Sequence, residues 1–442
     1  MLKKSITFTI LILCFIVLAA CSDKTDDISG DEGSGGKDDI SEDVGTFNVN
    51  EGIGGFASGG YKENSIHPTA VGWTRQSRFK GPDNPEIKKE IELPSILRSY
   101  ETEPIVDEEG NFYIRINGRD NDNLFTNIGE NDGFVKLDRK GSVIWKNVEY
   151  HSEYDISAGN NENQAPVLTN DNQLIGTLDH KTLASLDVET GEFNFVYQIE
   201  DDLSLRPWSP AVGEDGTIYF AYNDNLVALN SDGTEKWVYV ADKDDEMGGI
   251  DYTPVVTQDR IYVRDWDKIS AFNLNGDLLW SEAMGSLTKH DQSNILVDDE
   301  QKIYFAHKDR LVSYDKDGEL LWDVVVEDSD GYISGFEGLA LSKDGLIIGQ
   351  FLPYLYAFDL DGNEVWRSER FHELGGVTVD SEGTSYFAGK STLYSVDNQG
   401  QTKWTLDMPS SYPGDVVIGP NEEIYLTIDS SSEASLLIIG NK

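Results

Sequence analysis

One pattern recurs seven times along this chain, and it restricts the fold more than any other feature. A bulky apolar residue opens a short apolar run, followed by Asp or Asn, a turn with Gly, and a large aromatic four residues after that Gly. The copies are Phe134–Trp145, Leu183–Phe195, Leu226–Trp237, Ile269–Trp280, Leu311–Trp322, Leu355–Trp366 and Leu393–Trp404. Their turn glycines, Gly141, Gly191, Gly233, Gly276, Gly318, Gly362 and Gly400, are spaced by 50, 42, 43, 42, 44 and 38 residues. Self-similarity at such a period marks an array of supersecondary units, each of which buries its apolar face only against its neighbours.

Each copy reads as a β-hairpin. Leu355-Tyr356-Ala357-Phe358 is a short apolar strand, Asp359-Leu360-Asp361-Gly362 supplies turn chemistry, and Glu364-Val365-Trp366 returns. No window carries a sustained i, i+3, i+4, i+7 stripe, so helices are not expected. A second kind of hairpin precedes each copy. Pro210-Ala211-Val212 with Asp215–Tyr219 and Pro254-Val255-Val256 with Arg260–Tyr262 are its clearest examples; related segments begin near Pro104, Pro166, Ile295, Leu339, Val377 and Val416. Two hairpins together make a four-stranded unit of about 42 residues, the size of a propeller blade.

The preceding hairpin occurs eight times, and the last, through Ile424-Tyr425-Leu426, is followed by a third strand at Leu436–Ile439. One outer strand is then missing, and Ile87–Leu93 can supply it from the other end of the chain. The expected fold is all-β: an eight-bladed β-propeller of four-stranded antiparallel blades, the last closed by an N-terminal strand. Such closure removes exposed sheet edges. Seven blades is the alternative, if one weak repeat is a distorted insertion. Trp145, Phe195, Trp237, Trp280, Trp322, Trp366 and Trp404 are assigned to the interfaces between blades, where loss of a large aromatic costs about 3–5 kcal/mol.

The N-terminus carries different information. Lys3 and Lys4 precede a largely apolar stretch, Ile6–Ala20, which reads as a signal peptide spanning residues 1–20. Leu18-Ala19-Ala20-Cys21 resembles the bacterial lipobox. That resemblance implies that Cys21 becomes the first residue of the mature chain and carries diacylglycerol with palmitate-type acyl chains. Residues 21–45 are dominated by Asp, Glu, Gly and Ser without an aromatic, the composition of a flexible acidic linker, which leaves 46–442 for the propeller. The only other cysteine, Cys14, leaves with the signal peptide. An exported body without a disulfide must be held by its core, and a chain this long can bury one.

The formal net charge is −45. A surface so acidic argues against nucleic acid and against lying flat on anionic lipid. No Gly-x-Ser-x-Gly elbow, Gly-rich phosphate loop or His-Glu-x-x-His is present.

The repeats resemble the pyrroloquinoline-quinone-like (PQQ-like) repeat family, and Trp73, Arg78, Phe79 and Gly81 resemble the Trp-containing lead-in of such propellers. The resemblance covers about residues 70 to 440 and is specific for fold. Quinone dehydrogenases, assembly scaffolds and sensor domains share that fold, so it does not specify activity. The dehydrogenases use a vicinal disulfide, Ca²⁺ and an Asp base. Cys14 and Cys21 are not adjacent, so PQQ is not expected and no cofactor is assigned. Length, anchor and repeats are also similar to those of the lipoprotein propellers that include the outer-membrane-protein assembly scaffold.

That likeness implies a non-catalytic, monomeric binding or scaffolding module for a protein or surface polymer, lipid-anchored on the extracytoplasmic face of the cell membrane. Low Arg with abundant Asn, Asp, Ile and Lys fits a Gram-positive source and an outer-surface location; in a Gram-negative cell the location would be periplasmic. The alternative is a surface enzyme or carbohydrate-binding module that uses the central funnel.

Segments that enter the innermost strands converge on one mouth of a propeller's channel. Here they carry Arg206, Trp208, Asp251, Tyr252, His290, Asp291, Glu337, His372, Glu373 and Tyr412, together with Tyr100, Asp155 and Gln292. Aromatics, carboxylates, two His and an Arg suit a polar ligand or peptide; equally, such groups can satisfy loop backbones on a solvated rim. His290 and His372 lack matched metal-ligand spacing. Turns such as Asp315–Glu319 and Asp359–Asn363 lack the distal bidentate Glu of a calcium loop and are explained as turns. The insertion 117–132 offers Asp120, Asp122, Asn127 and Asp132 as oxygen ligands, making it the Ca²⁺ candidate.

Overall fold

The structure is a computed structural model of the chain. It describes residues 76–442 except 78, 94–103, 108, 117–127, 156–165, 170, 180, 200–208, 223–224, 242–252, 265–267, 285–292, 299, 308, 327–335, 352, 372–374, 410–411 and 431–432. These residues fall within one unit, Gly45–Lys442. Cys21, Trp73 and the segment 1–75 lie outside the described residues.

Eight antiparallel sheets follow one another around a ring. Blade 3 shows the pattern: Ala211–Val212 innermost, then Ile218–Tyr222, Asn225–Leu229 and outermost Glu235–Val240, each paired with the next. Blades 1, 2 and 4 to 7 repeat that order. In blade 8 the order is Val417–Gly419, Glu423–Ser430 and Glu433–Asn441, with Pro85–Glu92 as the outer strand. Ile91 faces Leu436 and Glu90 faces Leu437 in that final pairing. The propeller therefore has eight blades, and an N-terminal strand completes the last one.

The strands differ in burial because they sit at different radii. Ile218–Tyr222 and Ile347–Phe351 are almost continuously buried, since inner strands are covered on both faces by neighbouring blades. Phe193–Gln198 and Thr402–Asp407 alternate between exposed and half-buried residues, as outer strands with one inward face should. Eight apolar clusters are each shared between two adjacent blades. The cluster that joins Ile91, Leu93 and Leu436 of blade 8 to Val106, Phe112 and Ile114 of blade 1 closes the circle.

Most of the repeat turns use the same device. Asp315 Oδ1 accepts the Asp317 and Glu319 amides at 2.9 and 2.8 Å, and Gly318 takes φ of +86°, where a Cβ would meet the preceding carbonyl. Asp138, Asp359 and Asp397 accept amides two and four residues on in the same way. One residue before each aromatic is a β-bulge: Ser313 pairs with Trp322 and Tyr314 with Leu320, so Leu321 is extra.

The blade aromatics dock between blades. The Trp280 ring lies where a Cβ on Gly318 would come within 2.7 Å, and its Nε1 donates to the Lys316 carbonyl at 2.8 Å. Trp145, Trp237 and Trp322 donate likewise to Val188, Leu274 and Leu360 of the next blade. Phe195 packs on Gly233 and Trp366 on Gly400. Blade 8 has no such turn to receive Trp404, whose Nε1 donates to the Pro82 carbonyl at 2.9 Å.

Pro82 belongs to a strap, Gln76–Asn84, that crosses the seam between blades 7 and 8. Gln76 bridges Val379, and the Ser77 amide donates to the Val379 carbonyl at 2.7 Å while its Oγ donates to Ile418. The Gly81 amide donates to Asp380, and Gly81 lies against Tyr386 so closely that a Cβ would be 2.5 Å from the ring. The strap ends where Asn84 and Asn441–Lys442 exchange hydrogen bonds, a non-covalent stand-in for the missing turn of blade 8.

Four of the candidate site positions, Asp132, Asp155, Glu337 and Tyr412, lie in strands. Residues Ile128–Asp132 are strand, part of Ile128–Leu137, with Glu130 opposite His151 and Asp132 opposite Tyr150. Main-chain pairing with Val143–Asp155 continues through several bulges despite low β-propensity in this polar stretch, so Asp132 and Asp155 are ladder residues. Glu337 lies in the innermost strand of blade 6, Phe336–Leu341, and Tyr412 in a short strand paired to Asp429.

Candidate functional site

Most of the expected funnel, Arg206, Trp208, Asp251, Tyr252, His290, Asp291, His372 and Glu373, lies outside the described residues, as do Tyr100, Gln292, Asp120, Asp122 and Asn127. What the structure describes is the frame from which those loops spring. Innermost strands begin directly after them, at Ala211, Val255, Leu296 and Thr378. These strand starts lie at one face of the ring, opposite the repeat turns.

Below this face, polar groups tie several blades to the next. The guanidinium of Arg264, 1% exposed, donates to the Ser293 carbonyl at 2.9 Å and lies over the Phe305 ring. Asn294 exchanges two hydrogen bonds with the Leu339 backbone of blade 6, at 2.9 and 2.7 Å. Gln350 donates to the Gly375 carbonyl of blade 7, and the Gly376 amide donates to Asp415 at 3.0 Å. Arg115 of blade 1 makes the corresponding bond to the Leu178 carbonyl of blade 2. Each of these side chains spans the junction between two blades, which makes them positioning groups for this end of the ring. Arg115, Arg264 and Gln350 lie within apolar strands, two residues beyond the position that a tyrosine occupies in most blades, and a polar residue there is the signal that sequence reading missed; Asn294 and Asp415 precede innermost strands and carry no such signal.

The opposite face has its own recurring device. Asp107, Asp298 and Asp380 follow innermost strands, cap the next turn, and accept the hydroxyls of Tyr113, Tyr304 and Tyr386 at 3.0, 2.7 and 3.0 Å. Burial pushes the carboxyls of Asp298 and Asp380 above the usual carboxylate range, opposed by these hydroxyls and by backbone amides. The exposed turn aspartates go the other way: amide donors from Ser142 and Lys140 hold Asp138 low, and those of Thr190 and Glu189 hold Asp187 low.

Among the described residues no group of three or more His, Cys, Asp or Glu side chains is placed to hold a metal. The turn aspartates spend their oxygens on backbone amides.

Residues 131–334 match the profile of the family described as outer membrane protein assembly factor BamB. No curated protein matches the chain in sequence. Among solved structures, a europium-containing methanol dehydrogenase is similar over 83% of this chain and 96% of its own, at 12% identity and a TM-score of 0.63. The quinohemoprotein alcohol dehydrogenase ADHIIG from Pseudomonas putida HK5 is similar over 83% and 78%, at 13% identity and a TM-score of 0.60. BamB from Moraxella catarrhalis is similar over 81% and 98%, at 14% identity and a TM-score of 0.52. The chain is thus a propeller of PQQ-like repeats related to BamB, and at these identities the solved structures speak to fold alone.

Proposed function

We propose that this chain is a membrane-anchored, extracytoplasmic propeller lipoprotein that binds or scaffolds a protein or surface polymer through its loop face, held by lipid on Cys21. The observation that supports this reading most is the sequence similarity of residues 131–334 to an assembly-factor family whose named role is handling another protein. A closed ring suits that work. Interblade bonds from Arg264, Asn294 and Gln350, and one to Asp415, join neighbouring blades beside the innermost strands, a rigid frame on which a partner can be held.

Photocrosslinking side chains placed at Trp208, Tyr252 and His290 in cells of the source organism test the proposal. One partner recovered at these positions, and not from Lys316 on the turn face, is the expected result. Recovery of nothing, with turnover of a glycan or an alcohol by the pure protein, overturns it in favour of a surface enzyme. Cys21→Ala should move the protein from the membrane fraction to the soluble one.

A further inference from the structure

The repeat offers an internal comparison at the rim. In every hairpin with a blade aromatic the preceding residue is the extra residue of a β-bulge in the outer strand. In blades 2, 3 and 7 that residue is Asn194, Lys236 and Lys403, which bond back to Ser185, Thr217 and Thr384; in blade 1 it is Ile144, exposed by 48% but following a turn that carries Arg139 and Lys140. In the three consecutive blades 4, 5 and 6 it is Leu279, Leu321 and Val365, exposed by 44%, 42% and 52%. Leu278 and Leu320, beside them, are also exposed. Exposed large apolar residues repeated on three consecutive blades point to an interaction site more readily than single scattered ones do.

The surroundings narrow the occupant. Residues 273–283, 315–325 and 359–367, the turns and outer strands of these blades, hold nine carboxylates and two cations. Arg260 and Arg310 reach out to Asp317 and Asp323 and leave the remainder. A second copy, itself at −45, and an anionic membrane would both be repelled. The bulges twist the edge at the leucines, which favours contact by side chains over addition of a strand.

We propose that the rim of blades 4 to 6 is a docking surface for a protein segment that is apolar on one side and basic on the other. This extends the binding reading to a second face. Capture at the loop mouth with an empty rim overturns only this inference, and rim binding with no capture at the mouth leaves it standing.

The test uses a synthetic peptide alternating leucine and lysine, titrated against the full chain. Saturable binding is expected, with hydrogen-exchange protection in the outer strands of blades 4 to 6. Leu279→Lys with Leu321→Lys should weaken it at least tenfold, whereas Val143→Lys with Ile144→Lys in blade 1, which adds the same charge elsewhere, should change it less than twofold. Equal weakening by both pairs, a footprint elsewhere, or no saturable binding overturns the proposal. Self-association abolished by the first pair overturns it in favour of a second copy.

Discussion

At the scale of single residues, the blade aromatics and the buried aspartates make opposite demands that can be measured. Trp280 packs between Gly318 and the rings of Tyr262 and Tyr314, but it lies in an outer strand and is only half-buried. Trp280→Ala should therefore cost about 3 kcal/mol in urea unfolding, the low end for a large aromatic, while the neighbouring bulge variant Leu279→Ser stays within about 0.5 kcal/mol. Asp380 gives a pH signature. Its carboxyl titrates above its ordinary value near 3.8 because it is buried, so the folded chain holds that proton more tightly than the unfolded chain. The associated stability is complete below that value and is lost as pH rises through the folded value. Asp380→Asn mimics the protonated form, so the variant's urea midpoint minus that of the wild type should rise between pH 4 and pH 7. A difference that falls across this range contradicts burial as the dominant cause. Asp138 and Asp187 have the reverse sign and lose their contribution only as acidification passes below their ordinary range.

At the scale of elements, legibility followed local chemistry. The turns Asp-x-Asp-Gly were readable because their Asp oxygens and positive-φ glycines are required by the turn itself, as at Asp315 and Gly318. The outer strand at Ile87–Leu93 was readable from a missing partner for Leu436–Ile439. The strap was not, although Phe79 and Gly81 were singled out: its bonds to Val379, Asp380 and Ile418 span some 300 residues, and no local periodicity encodes them. The hairpin extension at Ile128–Asp132 was hidden for a related reason, because pairing of main chains there is indifferent to polar side chains. The expected funnel could be stated only as a set of positions, since the segments before the innermost strands differ from blade to blade and carry no period. Strap and outer strand together make the sensitive joint of the ring. Deleting residues 1–75 should leave the ring's unfolding midpoint unchanged, whereas deleting through 93 exposes Leu436 and Ile438 along an open edge. Light scattering should show the second protein aggregating and the first remaining monomeric; equal behaviour would mean that blade 8 holds without its outer strand.

At the scale of the whole molecule, two electrostatic effects compete, and their balance is testable. A formal charge of −45 makes compaction costly through self-repulsion, a cost that salt reduces by screening. Salt also weakens attractive pairs, and several of these gather at the closing seam: Lys80 and Lys403 both reach Asp83, at 2.7 and 3.2 Å, and Arg139 of blade 1 pairs with Glu423 of blade 8. Most of these groups are partly exposed, where an ion pair contributes only about 0–1 kcal/mol. Repulsion among so many unpaired carboxylates should win. Raising sodium chloride from about 0.02 to 0.5 M, which shortens the screening length from roughly 20 Å to below about 5 Å, should therefore raise the thermal midpoint, most steeply below 0.1 M. Sodium chloride is the right salt because sulfate would strengthen apolar burial as well and blur the cause. A midpoint that falls over the same range would assign the seam pairs a larger share of ring closure than the apolar cluster between Ile91, Leu436 and Phe112. In that event Asp83→Asn should reproduce at low salt the destabilisation seen in the wild type at high salt.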